Sequence, residues 1–128
     1  MTSEELANKI RIDAIKMVHH AHASHIGGIL SCADIVAVLY NDVANVFPKE
    51  PENPERDRIV LSKGHNGVAI YAALAEKGFF DKDALKTYGD NGGIFFFHIF
   101  YHNVPGGGNS SCWLGQGGGG GCGVALYC

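Results

Sequence analysis

The chain has 128 residues, 46% of them hydrophobic and 18% charged, with a formal net charge of −3. That is long and apolar enough for one domain with a core, and it excludes a disordered composition. The slight acidic excess, with no basic run, argues against a nucleic-acid surface.

The start, MTSEELANKI, lacks the apolar segment of a signal peptide, and no apolar run is expected to reach the roughly 18 residues of a membrane span. The cysteines at 32, 112, 122 and 128 form neither a C-x-x-C pair nor a disulfide framework. Reduced thiols and a cytoplasmic location are the expectation.

Residues 3–22 are predicted to be helical. Thr2 and Glu5 have capping-box spacing, and Leu6, Ile10, Ala14, Met17 and Ala21 form one apolar stripe. The helix is expected to stop near Ser24, with Gly27 and Gly28 in a turn. A second helix is then expected from Ser31, where Asp34 follows at capping-box spacing. The proline-rich 47–58 segment, FPKEPENPERDR, is a solvated loop. RIVLS (58–62) is short, β-branched and continuously apolar, which suits a buried strand of a parallel sheet. KGHNG leads from it into a further helix ending at Gly78, and a shorter helix over 81–89 is capped by Asp81. Of the 18 glycines, 13 fall in residues 89–128, so the chain has two compositional halves. The order helix, helix, strand, helix fits an α/β domain.

Four stretches could carry chemistry. In VLSKGHNG (60–67) a strand end meets a helix start, where open α/β sheets place ligands and a helix N-terminus favours phosphate. In HHAHASH (19–25), His19 and His22 are i, i+3 neighbours that could share a metal. A polar helix end, where imidazolium meets the negative end of the helix dipole, explains His19, His20 and His22 at least as well. His25 differs, because it lies past the helix beside two glycines. In FFFHIFYHNVPG (95–106), His98 is embedded in aromatics, either lining a pocket or bonded to backbone in the core. In SSCWLGQGGGG (110–120), glycine backbone N–H groups could cradle an anion, though neither a Walker loop nor a clean dinucleotide fingerprint is present.

Taken in order, SHIGGILSCADIVAVLY, DRIVLSKGHNGVAIYAALAEKGFF, NVPG and LGQG resemble the N-terminal, diphosphate-binding part of transketolase. The LSKGH form resembles transketolase rather than the deoxyxylulose-phosphate synthase or pyruvate dehydrogenase branches, and the short acidic lead-in resembles the stand-alone N-terminal subunit of a split transketolase. The resemblance implies an α/β, thiamine diphosphate-binding fold with helices packed on a mostly parallel sheet. It implies that residues 1–128 are the N-terminal portion of a single diphosphate-binding domain that continues beyond Cys128.

By the same resemblance, His25 and His98 are catalytic residues that contact the sugar, and His65 contacts thiamine diphosphate and substrate. The backbone of Cys112, Trp113 and Leu114 holds the cofactor's aminopyrimidine. Two departures stand out. Phe97 occupies the family's glycine before the third histidine, and Cys112-Trp113 replaces a small Gly-Ser pair, so Trp113 must turn outward or block the site. The ligands for Mg2+ (or Ca2+) and the catalytic glutamate are expected outside this segment. The glutamate would come from a C-terminal transketolase subunit in a heterotetramer.

The resemblance implies two-carbon ketol transfer between phosphosugars, as in the pentose phosphate pathway, by a complex rather than by this chain alone. Two alternatives stay open. One is an inactive truncated fragment that only associates with a partner subunit. The other is a small metal-binding protein built on His19, His22, Cys112 and Cys122.

Overall fold

The computed structural model describes residues 1–95 and 104–107. Three helices make up its core: α1 (Ser3–Ala21), α2 (Ile26–Val38) and α3 (Gly67–Glu76). One π-helical turn, Leu39–Val43, extends α2, and 3-10 turns occupy Gly64–Asn66 and Lys82–Thr87.

Helix α1 begins as its sequence predicts. The Thr2 hydroxyl accepts from the Glu5 backbone N–H at 3.1 Å, and the Glu5 carboxylate accepts from the Thr2 N–H at 2.8 Å. This capping box satisfies two N–H groups that a helix start leaves unpaired. Leu6, Ala7, Ile10, Ala14 and Met17 are buried on one stripe, packed against both other helices. At its C-terminus, His22 takes a left-handed backbone (φ 49), and the Ala23 N–H reaches back to the Val18 carbonyl at 3.1 Å.

Helix α3 is the middle of the domain. All its residues from Gly67 to Ala75 are buried, and four of them are alanines. Small side chains there let α1 and α2 approach closely, and a helix that is apolar all round has to be buried. Gly78 (φ 85) ends it in a Schellman motif, with the Phe79 N–H on the Leu74 carbonyl at 3.0 Å and the Gly78 N–H on the Ala75 carbonyl at 3.1 Å. Tyr71 packs edge-on against Phe95 with ring centroids 5.0 Å apart, and also contacts Tyr88. Burial pushes the Tyr88 phenol up to about 12.

Ion pairs staple these elements. Arg11 on α1 grips Asp34 on α2 with both guanidinium branches. A buried group joins α1, α3 and the 82–87 turn. Lys82 Nζ lies 3.0 Å from Asp13 Oδ2 and also pairs with Glu76, while Lys9 meets Glu76 at 3.3 Å.

Three expectations change. Helix α2 starts at Ile26, not Ser31, so Gly27 and Gly28 lie inside its first turns rather than in a loop. Ser31 is no cap: its hydroxyl donates back to the Gly28 carbonyl at 2.8 Å. Second, Ile26–Val43 is long and apolar enough to cross a membrane by length and composition. It buries Ile29, Ala33, Val36, Ala37 and Tyr40 against the other helices and leaves Ile35, Val38 and Val43 exposed. The 58–62 run is half-buried at its apolar residues and has one β-bridge, at Leu61; the expected sheet is not tested by the described residues. Third, the 81–89 helix is present as the 3-10 turn Lys82–Thr87, with Asp81 accepting from the Asp83 N–H at 2.9 Å.

Candidate functional site

The chain crosses one corner of the domain twice. Between α1 and α2 only His22 to His25 remain outside the helices, and both of those histidines have left-handed backbones (φ 49 and φ 68). Outside glycine, histidine is one of the residues that tolerates this region, and such strain gathers at functional sites. His25 stands at the N-cap of α2 without capping it through its side chain, so the exposed imidazole is left for other contacts.

The second crossing is the turn from Leu61 through Gly64–Asn66 into α3. It delivers His65, half-buried, against His25: the ring centroids are 4.6 Å apart and the planes tilted by 45°. Two imidazoles from segments far apart in sequence thus share one surface.

Asn66 ties the two crossings together. It is 3% exposed, and its Nδ2 donates to the Gly28 carbonyl at 3.1 Å and points at Cys32 Sγ at 3.7 Å. Its Oδ1 is buried with no hydrogen-bond partner. A Cβ on Gly28 would lie 2.7 Å from that oxygen and 3.1 Å from Lys63 Nζ. The missing side chain therefore lets Asn66 and Lys63 pack closely against the first turns of α2. Burial pushes the Cys32 thiol up, and its Sγ donates to the Ile29 carbonyl at 3.3 Å, so it is not poised as a nucleophile.

Of the residues singled out in the sequence, His25 and His65 are brought together. His98, Cys112, Trp113 and Leu114 lie outside the described residues. The His19 and His22 rings are 6.4 Å apart, and His20 instead contacts Asp90 at 3.0 Å. Among the described residues, no group of three or more His, Cys, Asp or Glu side chains could hold a metal ion. The sequence placed Lys63 and Asn66 within the VLSKGHNG candidate and Gly28 in a turn, but gave none of the three a role of its own. The available signal was an amide directly after the His65 turn, at the start of a helix with no other polar residue before its end.

A family model described as the transketolase, thiamine diphosphate binding domain matches residues 2–128. An apulose-4-phosphate transketolase subunit of Phocaeicola vulgatus is 40% identical over 97 residues, which is 76% of this chain and 34% of that protein. The 6-deoxy-6-sulfo-D-fructose transketolase subunit SqwG of Clostridium sp. is 39% identical over 120 residues, 94% of this chain and 44% of that one. Transketolase from Leishmania mexicana superposes with a TM-score of 0.87 at 30% identity, covering 98% of this chain and 19% of that structure. The chain therefore spans less than half the length of each of these relatives.

Proposed function

The chain belongs to the family of transketolase thiamine diphosphate-binding domains, and on that premise we propose that it is part of a transketolase moving a two-carbon ketol unit between phosphosugars. The observation that carries this reading is the His25–His65 pair, two imidazoles at 4.6 Å in a family whose chemistry moves protons at sugar hydroxyls. Similarity to two proteins named as transketolase subunits supports a partner subunit that completes the site.

The corner fits thiamine diphosphate. Lys63, exposed beside the corner, offers an ammonium group, and His65 stands next to it in the turn. Lys63 would attract the anionic diphosphate, and His65 would contact the cofactor and substrate. When bound, the cofactor supplies the electron sink for the carbanion that a ketol transfer requires.

The chain's own work is orientation and proton handling. His25, exposed at the corner, reaches outward to a substrate hydroxyl and exchanges a proton at an imidazole nitrogen. His65, half-buried behind it, fixes the face that the substrate meets. Packing of α2 on α3 walls the site from solvent on the domain side, which strengthens each polar contact inside. The divalent metal would take its ligands from elsewhere in the complex, and His98 with the Cys112–Leu114 backbone would complete the sugar and aminopyrimidine contacts.

The test is a ketol-transfer assay on the full-length protein in complex with its partner. Thiamine diphosphate-dependent transfer from a ketose phosphate to an aldose phosphate, lost about a hundredfold in His25→Ala, supports the reading. A complex that binds no thiamine diphosphate and transfers nothing would leave a protein that only associates.

A further inference from the structure

We propose that Asn66 is a positioning residue whose side chain locks the first turns of α2 to the His65 turn and so sets the geometry of the His25–His65 pair. Only the use of that pair rests on the transketolase reading; the lock itself is a matter of geometry.

Asn66 is the residue after His65, and its contact on the other side, the Gly28 carbonyl, lies three residues from His25. One buried amide thus spans the two chain crossings close to both rings. The orientation of the amide is settled by chemistry, because only the NH2 end can donate to a carbonyl. That leaves Oδ1 unpaired and buried. An apolar side chain of the same size would fill the space without an orphaned acceptor, so stability alone does not account for an amide here. Gly28 repeats the pattern from the opposite side. A glycine inside a helix weakens it, yet any Cβ at this position would press on Oδ1 at 2.7 Å. Two local rules are broken at one contact, which is where functional constraint is expected to show.

The exposed His25 has no such anchor of its own. Its side chain makes no cap, and its backbone sits in the left-handed region. Releasing the Asn66 bond frees the first turn of α2 to shift, and His25 shifts with it.

Three variants of the full-length protein, each in complex with its partner, test the lock. Asn66→Ala removes both amide groups. Asn66→Asp keeps the shape but sets an oxygen against the Gly28 carbonyl. Gly28→Ala leaves Asn66 intact and displaces it. The readouts are the interproton Overhauser effect between the two histidine rings, the melting temperature, and kcat per bound thiamine diphosphate. All three variants are expected to lose the ring-to-ring signal and about 10- to 100-fold in kcat, because small misplacements of reacting groups cost that much. Gly28→Ala is the most informative, because its gain in helix propensity offsets the strain of displacing Asn66, so the melting temperature should change little while the pair is lost.

The proposal is overturned if Gly28→Ala and Asn66→Asp both keep the ring signal and kcat within twofold of the parent. It is also overturned if losses appear only in variants that melt lower. A parent complex without ketol transfer would sink the functional reading, while the ring signal and melting data would still decide on Asn66.

Discussion

Replacing Lys82 by methionine removes the cation that two buried carboxylates share. The Asp13 and Glu76 side chains are 4% and 7% exposed, and the Lys82 side chain is 52% exposed. Breaking a fully buried ion pair from one side costs about 3–5 kcal/mol, and solvent screening of a half-exposed lysine reduces that to about 2 kcal/mol. Lys9 still faces Glu76, so the loss falls mainly on Asp13.

The pH dependence follows from the two carboxyls. Burial raises the Asp13 carboxyl above its ordinary range, against the opposing pull of Lys82, so its ionisation weakens the fold as pH rises through that interval. Burial also pushes Glu76 up, but hydrogen bonds from Lys82, Asp13 and Lys9 outweigh it and hold the group low. Glu76 therefore contributes stability above the ordinary carboxylate range and loses it as pH falls through the lowered value. Without Lys82 both groups shift upward. The penalty of Lys82→Met is then larger at pH 7 than at pH 4, because acid protonates carboxyls and removes their need for a cation. Urea unfolding of parent and variant at both pH values measures it. An equal penalty at the two pH values would refute the assignment of the cost to uncompensated carboxylates.

Three further perturbations isolate other features. Leu74→Ala empties a fully buried position on α3 and is expected to cost about 3 kcal/mol, read as a lower urea midpoint at unchanged slope. Gly78→Ala meets no atom within 4 Å but forces a side chain into φ 85, so its expected cost of about 1–2 kcal/mol is pure backbone strain. His25→Gly relieves the left-handed strain at φ 68 and should leave thermal stability unchanged or slightly raised, while ketol transfer by the assembled complex falls about a hundredfold.

The local features were legible because their causes are local. The Thr2–Glu5 capping box, the α1 stripe and the Gly78 stop each depend on residues within a turn or two, and each is present. The start of α2 was misplaced because Gly27-Gly28 has the composition of a turn. The reason for Gly28 lies in Asn66, 38 residues away, and no local pattern carries it. The 58–62 run has the residues of a strand, and the bridge at Leu61 is what the described residues show of its pairing. The meeting of His25 and His65 followed from no spacing; the local pattern marked each as a separate candidate, and likeness to the family assigned both to the active site. Asn66 was passed over because a polar residue in a strand-to-helix turn ordinarily faces water, whereas here it is buried.

The cofactor's place is tested most directly by calorimetric titration of thiamine diphosphate, with Mg2+, into the assembled complex carrying either His65 or His65→Ala. Saturable binding at one cofactor per site, weakened at least tenfold by the substitution, is the predicted result. Binding that is absent from the parent complex, or equally tight in both, would contradict the placement of the cofactor at the His25–His65 corner.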